Sequence, residues 1–191
     1  MTATSPKTGR LWGVVLGATV ASFAALAMAA PAPADAKKCS HQKASPGSVS
    51  AGRAERSVFC LLNRQRAKRD VPKLKRHRNL NRPSKAHSEL MVRAKCFDHA
   101  CPGEDDLGDR LIDYIAGADG GYGYGENIAW GSGEFGSPRK IVRSWMKSEG
   151  HRRNILNRRF EHIGIGIVWG SPDPGVKGDA GTYTTDFGYR D

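Results

Sequence analysis

The segment Ile163-Gly164-Ile165-Gly166-Ile167-Val168 alternates a branched apolar side chain with, at first, no side chain at all. Alternation with period two is the pattern of a strand, because successive side chains leave opposite faces of the pleat. The glycines predict that something packs closely on their face, near enough to touch the backbone. Thr182 to Gly188, across a loop rich in Pro and Gly, reads as the partner strand.

Helical patterns precede these strands. From Arg53 to about Lys68, Val58, Leu61 and Leu62 recur at helical spacing, with Phe59 broadening the stripe and Pro72 marking the end. Asn79 to Ala94 sets Leu80, His87, Leu90, Met91 and Ala94 on one face, and Pro83 suits that helix only in its first turn. His87 on this apolar face reads as a satisfied core histidine rather than a ligand. Leu107, Leu111 and Tyr114 predict a short third helix over Leu107 to Ala116, stopped by Gly117. Ser137 and Pro138 should cap and open a fourth, with Ile141, Val142, Trp145 and Met146 facing inward and a break at Gly150. Helices first and strands late predict a mixed α+β layer fold.

At the amino terminus, Lys7 and Arg10 precede an uncharged run from Leu11 to Ala30, with small-x-small sites at its end, Ala27-Met28-Ala29, and just beyond it, Ala34-Asp35-Ala36. This is the layout of a secretory signal. Residues 1–36 are therefore expected to be a leader, 37–52 a polar linker without an apolar period, and 53–191 the domain. Export makes disulfides the expected state of Cys39, Cys60, Cys96 and Cys101. Three pairings exist. Cys96 with Cys101 closes a very short loop and Cys39 with Cys60 staples the tail to the first helix, which favours that one. Zinc-finger chemistry lacks its tight Cys-x-x-Cys pairs here.

The formal charge of +11 is unevenly spread. Arg53 to Lys85 holds twelve Lys and Arg against Glu55 and Asp70, whereas Asp98 to Glu126 holds eight Asp and Glu against Arg110 alone. Secretion removes nucleic acid as the usual partner of such a basic face, leaving anionic cell-wall polymer or lipid headgroups, or a plain solubilising role.

Gly123 to Gly131 concentrates a carboxylate and an amide between glycines. It reads as a glycine-rich turn that aims Glu126 at a cleft, with Asn127 pinning the turn and Ile128-Ala129-Trp130 anchoring it in the core.

Seven ordered blocks then carry a resemblance. They are Leu61-Leu62-Asn63-x-x-Arg66, Ala86-His87-Ser88 with Met91, Cys96-Phe97-Asp98-His99, Gly125-Glu126-Asn127-Ile128-Ala129, Trp145-x-x-Ser148-x-Gly150-His151-Arg152-x-Asn154-Ile155-Leu156, Gly164-Ile165-Gly166 and Tyr183-x-x-Asp186-Phe187-Gly188. Together they resemble the CAP superfamily of cysteine-rich secretory, antigen 5 and pathogenesis-related proteins, in its bacterial secreted, SCP-like branch. The resemblance implies an α-β-α sandwich with a central antiparallel sheet and a cleft that many members line with two histidines and two acids. His99 matches the first histidine, Glu126 the first acid and His151 the second histidine. Ser148 stands where eukaryotic members carry a glutamate, leaving Ser148, Glu149 and His162 as candidates for the fourth place.

On that basis the cleft residues are His99, Glu126, His151, Asn127 and Ser148, with His99, Glu126 and His151 also the catalytic candidates. His99 and His151 are candidate ligands for a divalent cation such as zinc, since neutral imidazole is a good zinc ligand. The competing reading is a hydrogen-bonded cluster that braces the cleft. The resemblance implies a secreted, monomeric binding module for a lipid, another small hydrophobic ligand or a cell-surface ligand. A metal-dependent peptide or ester hydrolase in the same cleft is the alternative.

Overall fold

Gly164 and Gly166 are where the two upper layers of the fold touch. In the computed structural model, which describes residues 38–191, a Cβ on Gly164 would lie 2.1 Å from the Leu80 backbone, and one on Gly166 would lie 2.3 Å from the Lys85 amide nitrogen. The element pressed against the glycines is the helix α2, Arg78–Ala94. The strand is β3, His162–Trp169, and it pairs antiparallel with β4, Ala180–Arg190. A third long strand, β2, Tyr122–Ser132, pairs antiparallel with the other side of β4. The two-residue β1, Lys75–Arg76, adds to β3 in parallel, so the sheet order is β1-β3-β4-β2 and the sheet is antiparallel except at that edge.

The isoleucine face of β3 meets the opposite layer. That layer is α1, Ala51–Ala67, with α5, Pro138–Lys147, and α6, Glu149–Leu156. Val58, Leu62, Ile141, Trp145, Ile155, Ile163, Ile165, Ile167, Tyr183 and Phe187 form the main core, and each is almost fully buried. Each such side chain contributes about 1.5–3 kcal/mol by leaving water, so this cluster dominates the stability of the sandwich. Arg66 ties the layer together from inside. It is fully buried and donates to the carbonyls of Pro72, Ile155, Asn157 and Phe160, holding together the segments that lead into β1 and β3. Burial, and then the charge of Arg158, lower its pKa to about 10.

Several local expectations are corrected. Gly123 to Gly131 is not a turn but the body of β2, and none of its glycines has a positive φ. Pro83 sits at the sixth residue of α2, past the first turn, so the backbone bond it cannot make falls at half-buried Asn79 near the helix end. The third helix is two single turns, α3, Leu107–Arg110, and α4, Ile112–Ile115, separated at Leu111. Ser137 precedes α5 but makes no cap; its hydroxyl donates back to the Glu134 carbonyl. The break after α5 comes at Ser148, whose extended backbone separates α5 from α6, rather than at Gly150.

The expected leader lies outside the described residues. The segment expected as a linker does not hang free over 38–50. Cys39 is buried, Val49 packs on the core, and the Gln42 carbonyl accepts the Arg139 amide. The cause is covalent. Cys39 bonds Cys60 on α1 with Cα atoms 5.7 Å apart, and Cys96 bonds Cys101 at 5.9 Å, the favoured pairing. The segment is thus part of the domain.

Candidate functional site

Glu126 is held where three layers of the fold converge. Its place on β2 points it at the α2 face of the sheet, and Asn154 of α6 crowds the strand from the edge. A Cβ on Gly125 would lie 3.0 Å from the Asn154 side-chain oxygen, so any side chain there would push the Asn154 amide back from the strand. Asn154 uses that proximity to donate to the Glu126 carbonyl and to the Asn127 side chain. Asn127 in turn donates to the His151 carbonyl, so it fixes α6 against β2 rather than pinning a turn.

The Glu126 carboxylate is almost completely buried and fully engaged. His99 Nδ1 lies 2.7 Å from Oε1, while Arg110 reaches Oε2 at 3.1 Å and Oε1 at 3.3 Å. Arg110 also donates to the His99 carbonyl, so one guanidinium sets both the acid and the loop carrying its histidine. The Cys96–Cys101 bridge closes that loop on both sides of His99. Burial pushes the Glu126 pKa up, but the hydrogen bond with His99 and the Arg110 charge outweigh it and hold the group below the ordinary carboxylate value. The same hydrogen bond raises the pKa of His99, against the opposing effect of burial.

His151 approaches this pair from α6. Burial lowers its pKa, and the neighbouring His99 lowers it further, so it favours the neutral imidazole. The structure therefore brings His99, Glu126 and His151 into one neighbourhood, and the direct bond within it joins His99 to Glu126. Ser148 is a half-buried junction residue between α5 and α6. Of the other candidates for the fourth place, Glu149 is exposed and pairs with Arg153, while His162 bonds the Tyr114 hydroxyl at 3.0 Å and packs edge-on to His77. Neither bonds to His99 or Glu126. Among the described residues no three His, Cys, Asp or Glu side chains converge as a metal-binding group.

The parts played by His87, Glu104, Arg110 and Asp186 escaped the sequence reading. His87 is fully buried as expected, yet only half satisfied: Nδ1 bonds Glu104 at 2.8 Å, while Nε2 has no hydrogen-bond partner among the described residues and sits 3.9 Å from Glu126. Glu104 also lies 3.5 Å from Arg110, linking the two histidine–acid pairs. Asp186, on β4, is fully buried and accepts from the Ser84 hydroxyl at 2.8 Å. Burial, and next the Glu126 charge, push its pKa well above the ordinary value, which favours the protonated acid. A signal for Arg110 was present, since a lone cation among eight acids is the expected partner of any that is buried. A cavity of about 710 Å³ runs between α2 and residues 103–113 and reaches this cluster at Glu104 and Arg110; His99 and His151 are not in its lining.

The profile of the family described as "CAP: Cysteine-rich secretory protein family" matches residues 59–183. The chain belongs to the CAP family. The uncharacterized protein YkwD of Bacillus subtilis (strain 168) is 38% identical over 143 residues, covering 73% of this chain and 51% of YkwD. The chain thus spans about half the length of that relative. An outer surface protein from Borrelia burgdorferi is similar in structure, with a TM-score of 0.62 at 15% identity over 75% of this chain and 97% of the other. An extracellular protein containing an SCP domain, from Bacillus anthracis str. Ames, gives 0.57 at 26% identity over 75% and 45%. The CAP α-β-α sandwich is therefore the fold of this chain.

Proposed function

We propose that this CAP protein is exported to the cell envelope and acts there as a binding module, with a lipid or cell-surface ligand held at the cleft of His99, Glu126 and His151. The observation that carries this reading is the engagement of Glu126. Its oxygens are taken by His99 and Arg110, and its depressed pKa makes it a poor proton acceptor, so it supports the role of a brace rather than a general base. His99 is then the group presented to the ligand, with its side chain about half exposed and oriented from behind.

A second reading, a metal-dependent peptide or ester hydrolase, draws on the same pair. A carboxylate behind a histidine is a common support for a metal ligand, and His151 favours the neutral form that ligation needs. With zinc, the cation would supply Lewis acidity to a bound carbonyl, and His99 and His151 would hold it. Two histidines alone make a weak, exchangeable site.

Native mass spectrometry after incubation with a defined panel of lipids and sterols tests the proposal. Retention by the native protein, lost in both His99→Ala and His151→Ala, is expected. Zinc-dependent turnover of a peptide or ester library, abolished by Glu126→Gln, would favour the hydrolase.

A further inference from the structure

On the α1 and α5 side of the sandwich lies a cavity of about 980 Å³, walled by residues 38–44, α1 and α5. Its rim carries Lys38, Lys43, Arg64, Lys68, Arg139 and Arg143, and its lining contains no Asp or Glu. Among the described residues none of these six cations makes an ion pair or a side-chain hydrogen bond. Elsewhere on the same surface Arg76 pairs with Glu55, Lys140 with Glu134 and Arg153 with Glu149, so acids are placed where the fold needs them. The floor between the cations is apolar, made by Leu61, Val142 and Met146.

The cations are arranged as well as numerous. Arg64 and Lys68 are four residues apart on α1, and Arg139 and Arg143 are four apart on α5. Positions at that spacing on a helix lie about 5–6 Å apart on one face, so each wall presents two charges in a row along the groove. A single headgroup satisfies one such pair. Two facing rows suit a linear chain with an anion on every repeat and carbon between the anions, which the apolar floor accepts. Arginine forks match the oxygens of phosphate.

We propose that this groove is a second binding site, separate from the His99 cleft, for a linear phosphodiester polymer of the kind an anionic cell wall contains. The Cys39–Cys60 bridge shapes it, because that bond holds residues 38–44 down as its third wall. The sequence expectation of a basic face over Arg53 to Lys85 is thereby narrowed. Arg64 and Lys68 belong to the site, whereas Arg78 and Arg82 line a different cavity on the α2 side.

The test is fluorescence anisotropy with labelled poly(glycerol phosphate) over a salt series. The native protein is compared with Arg64→Gln/Lys68→Gln, Arg139→Gln/Arg143→Gln and the equal-charge control Arg78→Gln/Arg82→Gln, each checked for native thermal unfolding. Each groove variant is expected to bind about tenfold or more weakly, with a salt slope shallower by about 0.7 for each charge removed, while the control stays near native. Equal loss in the control would reduce the effect to net charge and overturn the site. Binding to polyglutamate as tight as to poly(glycerol phosphate), or binding to phosphatidylglycerol vesicles without binding to the polymer, would overturn the phosphodiester assignment. Zinc and His99→Ala should leave polymer binding unchanged, which keeps this result separate from the cleft.

Discussion

Glu126 on β2 and Asp186 on β4 stand directly opposite each other in the antiparallel register, both buried, the first held below the ordinary carboxylate pKa and the second pushed well above it. Two carboxylates so close in a dry site cannot both hold a charge cheaply, and the fold resolves the conflict by giving the hydrogen bonds of His99 and Arg110 to Glu126. Asp186, pushed toward its protonated form by burial and the Glu126 charge, accepts from the Ser84 hydroxyl. An acid whose pKa is higher in the folded state costs stability as the pH rises from its unfolded value near 3.8 toward the folded one. Asp186→Asn escapes that cost. In urea unfolding from pH 3 to 8, the variant should gain on the native protein as pH increases. A deficit of the variant that grows as the pH rises would show that an ionised Asp186 is needed.

The His99–Glu126 bond predicts an inverted order of histidine titrations. His99 should titrate above 6.5 and His151 below it, and Glu126→Gln should bring His99 down toward 6.5. Because the folded pKa of His99 is raised, its bond to Glu126 stabilises fully below pH 6.5, and that contribution fades as pH climbs through the folded value. Imidazole proton NMR reads both values. A His99 that titrates at 6.5 or lower in the native protein would contradict the pairing.

Arg110 is the keystone cation of the cluster. Removing it by Arg110→Ala strands the buried Glu126 charge and should cost about 3–5 kcal/mol in denaturant unfolding. Lysine should rescue poorly, since one ammonium cannot make the forked contact to both carboxylate oxygens and reach the His99 carbonyl. A lysine variant of native stability would mean that charge alone suffices.

The two disulfides should separate in their effects. Cys39–Cys60 spans 21 residues, and its removal as the paired Cys→Ala variant should cost about 2–4 kcal/mol. Cys96–Cys101 spans five and should cost less, but it frees the loop bearing His99, so the His99 pKa should fall toward 6.5. Equal stability losses with an unmoved His99 would refute the division of labour.

Much of the fold was legible because it is written in short range. The period-two run of β3, the helical stripes of α1 and α2, and the two glycines that admit α2 each declare themselves within a few residues. The glycines of β2 misled for a physical reason. They read as turn formers, whereas at Gly125 glycine serves a neighbour, Asn154, that lies 29 positions away and leaves no local mark. The site was half legible on the same ground. Histidines and an acid stand out by chemistry, but the roles of Glu104, Arg110 and Asp186 arise from packing across loops and strands. Asp186 in particular looks like any polar strand residue until its burial is known.

In the proposed binding role, Glu126 braces a ligand cleft rather than taking a proton. Glu126→Gln tests it most directly, through native mass spectrometry of lipid retention beside turnover on the peptide and ester library. The variant should lose retention several-fold, because His99 is no longer held from behind, and neither native nor variant protein should turn over any library member. Retention equal to or greater than native, together with loss of a measurable native turnover, would contradict it.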